Sequence, residues 1–310
     1  MKAILRNLLV IAGILSLGSL HAQDLLSEIG TDEKPAREFS SAAFKSTRLI
    51  NFHTLETVGP KTLDFRISHR FGPINSGSYD AWGIDGPANI RLGLEYSYNG
   101  RLMFGIGRSS YEKMVDGFLK FRLLRQTTDN SMPLSVTLLS AAYRTALKDP
   151  AAAVGLDKYY YGIDRYSYCH QIIIGKKFSP GFSLQIAPWF VHYNLVDNIT
   201  DKNDAFGLSA ATRIKFSKRS AITFEYAWRF PNDFVLDKEK YHDSFSIGYE
   251  LETGGHVFQV HLTNSFGIVE NQFLARTTDT WSDGGIRLGF NISRVFTVPA
   301  GGKDKDKDKW

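Results

Sequence analysis

The feature that most constrains this chain is a period-two alternation sustained over long segments. In SAITFEYAWRF (220–230), Ile222, Phe224, Tyr226, Trp228 and Phe230 fall on one side of an extended chain. Ala221, Thr223, Glu225, Ala227 and Arg229 fall on the other, because successive strand side chains point to opposite faces. Comparable segments occupy 62–70, 88–98, 101–110, 115–125, 134–145, 166–177, 182–195, 205–217, 243–253, 256–266 and 285–296, giving twelve strands in all. Most exceed the roughly 5–6 residues usual in soluble sheets and suit the roughly 9–11 residues of a tilted membrane-spanning strand. The aromatic stripe then faces either a soluble core or lipid.

The connections separate the two readings. Taken in order they alternate long and short. The short set comprises Asn99–Gly100, QTTDNSMP, Ser179–Gly181, Lys218–Arg219 and Thr253–Gly255. The other set includes 71–87, 146–165, PNDFVLDKEKYHD and 267–284. Short periplasmic turns on one side and longer external loops on the other are the habit of outer-membrane barrels. A soluble sandwich has no reason to sort its loops by parity. The expected fold is therefore all-β, an antiparallel up-and-down transmembrane barrel of about twelve strands, with fourteen as the alternative.

The N-terminus agrees with export. Lys2 and Arg6 precede the apolar run LLVIAGILSLGSL, and Ala22 offers a small residue at the cut, so 1–22 reads as a secretory signal peptide. Its apolar core of roughly 14 residues is short of the roughly 20 that a spanning helix needs. Residues 23–60 read as a periplasmic leader, with a short helix at 24–29, or as an inner segment. Within them, 48–57 is best placed at or inside the periplasmic mouth, because a thirteenth strand would break the parity. The barrel is expected over 61–297, and the Lys–Asp tail over 298–310 reads as disordered. Losing Lys2 and Arg6 leaves the mature chain at +3, too mild to argue for nucleic acid. A single cysteine, Cys169, excludes an internal disulfide framework.

If the apolar stripes face lipid, the opposite stripes line the bore. Asp64, Arg66, Arg70, Arg91, Glu95, Lys120, Arg122, Arg213, Lys215, Glu225, Arg229, Glu250 and Arg287 are the lumen-lining candidates. Nine cations against four carboxylates permit two states. Arginine–carboxylate pairs bond in bidentate fashion and would shut the lumen by cross-linking it. Surplus positive charge would instead favour anions in a narrow pore. Tyr79, Trp82, Tyr159, Tyr160, Tyr161 and Trp281 fall in the long loops, where aromatics suit contact with sugars or another protein.

The runs FKSTRLIN (44–51), TLDFRISHRFGPIN (62–75) and ANIRLGLEYSYNGRLMFGIGRSSYEKMVDGFLKFRLLRQ (88–126) carry a resemblance. Together, and above all at HRFG (69–72) and GRSSYEKMVDGFLKFRLL (107–124), residues 44–126 resemble an uncharacterised family of bacterial outer-membrane β-barrel proteins defined as a domain of unknown function. The resemblance implies an outer-membrane barrel and no activity, and it carries over no functional residues. The tail GGKDKDKDKW departs from it, since such a chain would end near Phe296.

Enzyme readings are poor. His256 and His261 lie five apart, on opposite faces of one strand, which is wrong for joint metal ligation. Cys169 and His170 are adjacent in a strand and point apart. Gly105 and Gly107 (GIGRSS) sit inside a strand and are not a phosphate loop; they relieve crowding on a curved wall. Outward serines and histidines do not assemble by spacing alone. No catalytic, cofactor or metal site is expected. The residues point to a pore, or a transport or assembly component, in the bacterial outer membrane after Sec-type export. The alternatives are a barrel with a structural or docking role and a membrane-embedded hydrolase of the phospholipase type. The expected partners are outer-membrane lipid, the barrel assembly machinery during insertion, and a small anionic solute or a periplasmic protein.

Overall fold

The computed structural model describes residues 38–149, 158–196, 201–231 and 240–298. The signal peptide, the leader up to residue 37 and the tail from 299 lie outside the described residues. Twelve strands form the wall: β1 (Thr62–Pro73), β2 (Asn89–Ser97), β3 (Leu102–Ser109), β4 (Met114–Leu124), β5 (Ser135–Thr145), β6 (Tyr166–Ser179), β7 (Phe182–Tyr193), β8 (Asp204–Lys215), β9 (Ser220–Arg229), β10 (Ser244–Thr253), β11 (His256–Thr263) and β12 (Arg287–Thr297). Each pairs antiparallel with its sequence neighbours, and β1 pairs with β12, closing the barrel. The count is twelve, and the boundaries fall within about three residues of the alternation pattern.

Closure is specific in register. Thr62 faces Thr297, and the pairing runs in step to Arg70 opposite Gly289. A bulge follows before Pro73 meets Arg287, so the proline falls at the strand end, where a missing N–H costs least. The tight turns use residues suited to them. At Asn99–Gly100 the glycine takes φ 78°, and the Asn99 carboxamide oxygen accepts hydrogen bonds from the backbone of Arg101 and Leu102 at 3.0 and 2.8 Å.

The faces are inverted relative to a soluble protein. On β9, Tyr226 and Trp228 are 45% and 50% exposed, while Glu225 and Ala227 between and beside them are 1% and 0% exposed. Apolar and aromatic side chains face outward round the wall, as a lipid solvent demands, and the buried charges face inward. No helix among the described residues is long and apolar enough to cross a membrane; strands make the wall.

Residues 48–57 add no strand to that wall. They belong to a hairpin inside it, stapled by hydrogen bonds from Leu49 N to Phe52 O and from Thr54 N to Thr47 O, each 2.9 Å. Residues 46–55 are all buried.

Phe224 lies mid-strand on the lipid face of β9. Phe224→Arg is expected to cost about 2–4 kcal/mol of barrel stability, the range for a cation near the bilayer midplane. Urea unfolding in phospholipid vesicles checks this, and an unchanged midpoint would mean that the outward face does not meet lipid.

Candidate functional site: a filled lumen

The lumen is occupied from both ends. At the end with the tight turns the chain passes beside the β4–β5 turn, where Ser40 N donates to Gln126 O at 3.0 Å. It rises as the 46–54 hairpin and returns to β1. From the end with the long connections the β11–β12 connection folds inward, so that residues 267–275 are buried and include a one-turn helix, Glu270–Phe273. The 267–284 segment, read from sequence as an external loop, is thus largely an internal plug. The two inserts meet: Arg48 Nη1 lies 2.7 Å from Glu270 Oε1, and the rings of Phe52 and Phe273 stack at 5.4 Å.

The hairpin is held by the wall. Glu225 on β9 accepts the backbone N–H groups of Asn51 and Phe52 at 2.9 and 3.0 Å. Arg70 on β1 donates to Asn51 Oδ1 at 2.6 Å, and Asn291 on β12 to Ile50 O at 2.8 Å. Thr47 donates to Glu95 on β2 at 2.8 Å, and Lys120 on β4 to Thr47 O at 3.1 Å. Gln185 on β7 donates to His53 O, and Thr137 on β5 to Leu55 O, at 2.8 and 2.9 Å. These bonds satisfy backbone groups of the hairpin that its own two cross-strand bonds leave over, which burial requires.

The thirteen lumen candidates all point inward, and most are paired. Arg91 forks onto Asp116, with Nε 2.9 Å from Oδ1. Arg213 bonds Glu250 at 2.7 Å and also Glu252, which Lys215 approaches at 3.9 Å. Arg66 bonds Asp64 at 3.3 Å and the Ser46 hydroxyl. Arg122 meets Glu56 of the hairpin at 2.8 Å, and Arg287 meets Asp279 of the β11–β12 connection at 3.1 Å. Arg229 packs over the Tyr241 ring. The cationic surplus that the strands alone suggest is offset by carboxylates that strand reasoning left out: Asp116, Glu252, Glu56, Glu270 and Asp279. Two of these are on strands; the other three come from the inserts.

Space for this network is made by residues with little side chain. A Cβ on Gly107 would lie 2.3 Å from the Arg91 guanidinium, and one on Gly248 would lie 3.0 Å from the Ile50 side chain. The other half of the bore is apolar. Leu139, Ala141, Tyr143, Cys169, Ile173, Trp189 and Val191 point inward from β5, β6 and β7 and pack with Phe52, Phe273 and Leu274. Tyr143 also donates to Glu270 Oε2 at 2.6 Å. These residues were missed, yet a signal exists: in QIII and IAPWFV apolar residues fall on both faces, the mark of a strand with something greasy on either side.

The loop aromatics divide. Tyr79, Trp82, Tyr160 and Tyr161 are exposed. Trp281 is turned back, its indole N–H donating to Phe245 O at 3.0 Å, and Tyr159 lies beneath Arg165 at 4.1 Å. Cys169 is buried in the lumen while His170 faces outward. His261 is buried and His256 half-buried on the opposite face. Ser140 and His170, which spacing alone did not join, lie 3.0 Å apart on the lipid face.

Known proteins bear on this architecture in three ways. No curated protein matches the chain. Similar solved structures include the NanC porin, at 7% identity and TM-score 0.48 over 76% of this chain and 100% of that one. They also include the KdgM porin, at 10% and 0.43 over 76% and 99%, and an outer membrane channel from Pseudomonas putida F1, at 15% and 0.46 over 78% and 98%. The family described as a membrane bound beta barrel domain (DUF5777) matches residues 44–296, so the matched region starts in the lumen hairpin rather than at β1. This chain belongs to that family of membrane-bound β-barrels.

Proposed function

We propose that the protein is an outer-membrane barrel of the pore or transport type, shut at rest, in which the hairpin within 43–57 is the gate and the inward-folded β11–β12 connection is its counterpart. The observation that carries this reading is the meeting of the two inserts at Glu270, where Arg48 and Tyr143 both bond the carboxylate. The two inserts touch inside the bore through this ion pair and through the stacked rings of Phe52 and Phe273. Truncating one partner of such a buried pair while the other stays in the bore would cost about 3–5 kcal/mol, because it leaves a charge buried and unpaired. A periplasmic protein partner acting on the chain that leads into the hairpin would be the opener in this reading.

The charge left behind sets the preference. With the inserts withdrawn, Glu56, Glu270 and Asp279 leave the wall. Arg66, Arg70, Arg91, Lys120, Arg122, Arg213, Lys215, Arg229 and Arg287 then face only Asp64, Glu95, Asp116, Glu225, Glu250 and Glu252. A bore with that surplus favours small anionic solutes. No residue has a catalytic role in this reading. A docking role is the second reading, favoured by the β1–β2 loop. Tyr79 is 94% exposed there, and Ala81 and Trp82 both hold positive φ, at 47° and 52°, a strain that non-glycine residues keep mainly where a surface is used.

In planar bilayers the intact protein is expected to be silent, and a variant with residues 44–57 replaced by a Gly–Ser linker is expected to conduct with anion preference. Adding Arg66→Glu and Arg122→Glu to that variant reverses the preference. Steady current through the intact protein would end the gate reading, and silence of the folded linker variant would favour docking. Separately, Glu225→Ala removes the acceptor of two buried N–H groups. The Asn51 and Phe52 amides should then exchange hydrogen faster by a factor matching about 1–3 kcal/mol. Unchanged protection would mean that Glu225 does not anchor the tip.

A further inference from the structure

The outer wall carries a polar pair on its lipid face. Ser140 on β5 and His170 on β6 stand directly opposite each other, both facing outward, with Ser140 Oγ 3.0 Å from His170 Nδ1. They lie in a groove of about 600 Å³ bounded by Leu119, Phe121, Ile172, Phe190 and Phe206. Pro188 also lines it. Between the pairs Gln171–Trp189 and Ile174–Ile186 the β6–β7 ladder is interrupted, and the proline there has no N–H to give. A proline inside a barrel strand is costly in lipid, where every peptide group must be satisfied within the protein.

The chemistry of the pair leaves one hydrogen over. A neutral imidazole and a hydroxyl hold two polar hydrogens, and the bond between them uses one. Whichever tautomer is present, either the serine O–H or the histidine Nε2–H is directed away from the pair. In hydrocarbon an unmet donor is expensive, so the site calls for an acceptor from outside the protein.

Depth identifies that acceptor. One outward step nearer the end with the long connections are Tyr168 and His192, whose Nδ1 lies 2.6 Å from the Asp204 carboxylate. Two steps nearer, Arg144 lies over the Tyr166 ring. At a rise of roughly 3.3 Å per residue and a tilt of roughly 40°, these rows stand roughly 5 and 10 Å above the pair. Charged and amphipathic side chains mark the water interface. Just beneath that interface lie the ester carbonyls of the lipids. We propose that this groove binds one acyl chain of a membrane lipid and that the Ser140–His170 pair donates its remaining hydrogen to that lipid's ester carbonyl. The site is independent of what fills the lumen.

The protein in phosphatidylcholine vesicles, doped with a phosphatidylcholine bearing a photoreactive diazirine near one ester, tests this. Labelling is expected to concentrate on 138–142, 170–172 and 188–190 rather than on the opposite wall around Val260 and Phe290. Unlabelled diester lipid should compete roughly fivefold better than its dialkyl ether analogue, the worth of one hydrogen bond. The Ser140→Ala, His170→Phe double variant should lose that same factor, its folding checked by heat-modifiable mobility in gels. Should that variant not fold, the ester–ether competition on the wild type decides. Even labelling around the wall, or equal competition by the ether lipid, would overturn the proposal. So would covalent modification of Ser140 by a fluorophosphonate together with lipid hydrolysis, which would make the pair catalytic instead.

Discussion

A peptide group left unpaired in hydrocarbon costs several kcal/mol, and the ladder between β1 and β12 is where this chain meets that constraint. Every other ladder joins sequence neighbours through a connection of limited length. The closing one joins residues more than two hundred positions apart, and without it two edges would face lipid. Its register also decides which side chains of β1 and β12 point inward. Arg66, Arg70 and Asn291 meet the hairpin only because that register holds.

Closure creates a second demand. A twelve-stranded wall with arginine, lysine and carboxylate on its inner face encloses charges that must be hydrated or paired. Here pairing does most of it, with Arg91–Asp116 and Arg213–Glu250 within the wall and Arg122–Glu56 and Arg287–Asp279 between the wall and the inserts. The backbone of the hairpin then uses the remaining acceptors, as at Glu225. A buried ionic network is weak evidence for stability in itself, because desolvation opposes each pair. It is better evidence for specificity: the hairpin fits one way, with its tip between Glu225, Arg70 and Ser246. Where the wall is apolar, from β5 to β7, the inserts present Phe52, Phe273 and Leu274 to it. The bore is thus complementary to its contents on both sides.

The outer surface answers to the same solvent logic with the opposite sign. Apolar and aromatic side chains cover it, so a hydrogen-bonded Ser140 and His170 in its midst is an exception that needs a partner. The exception falls beside the interrupted stretch of ladder at Pro188. Two departures from barrel regularity at one place on the wall are what set this patch apart from the rest of the lipid face.

Much of the architecture was legible in advance. Strand alternation has a fixed period, turn residues such as Asn99–Gly100 have local conformational causes, and the parity of long and short connections follows from a membrane with two unlike sides. None of these needs a distant partner. The inward position of Arg66 or Glu250 followed from the same period. The sequence by itself thus determined a closed barrel with greasy outside and charged inside. Only the tertiary structure decided what occupies the bore. Arg48 meets Glu270 across 222 residues, and the 267–275 stretch has no periodicity that distinguishes an inward fold from an exposed loop. Such contacts are set by the shape and charge of a cavity that exists only after the wall has closed, so no local pattern in the chain encodes them.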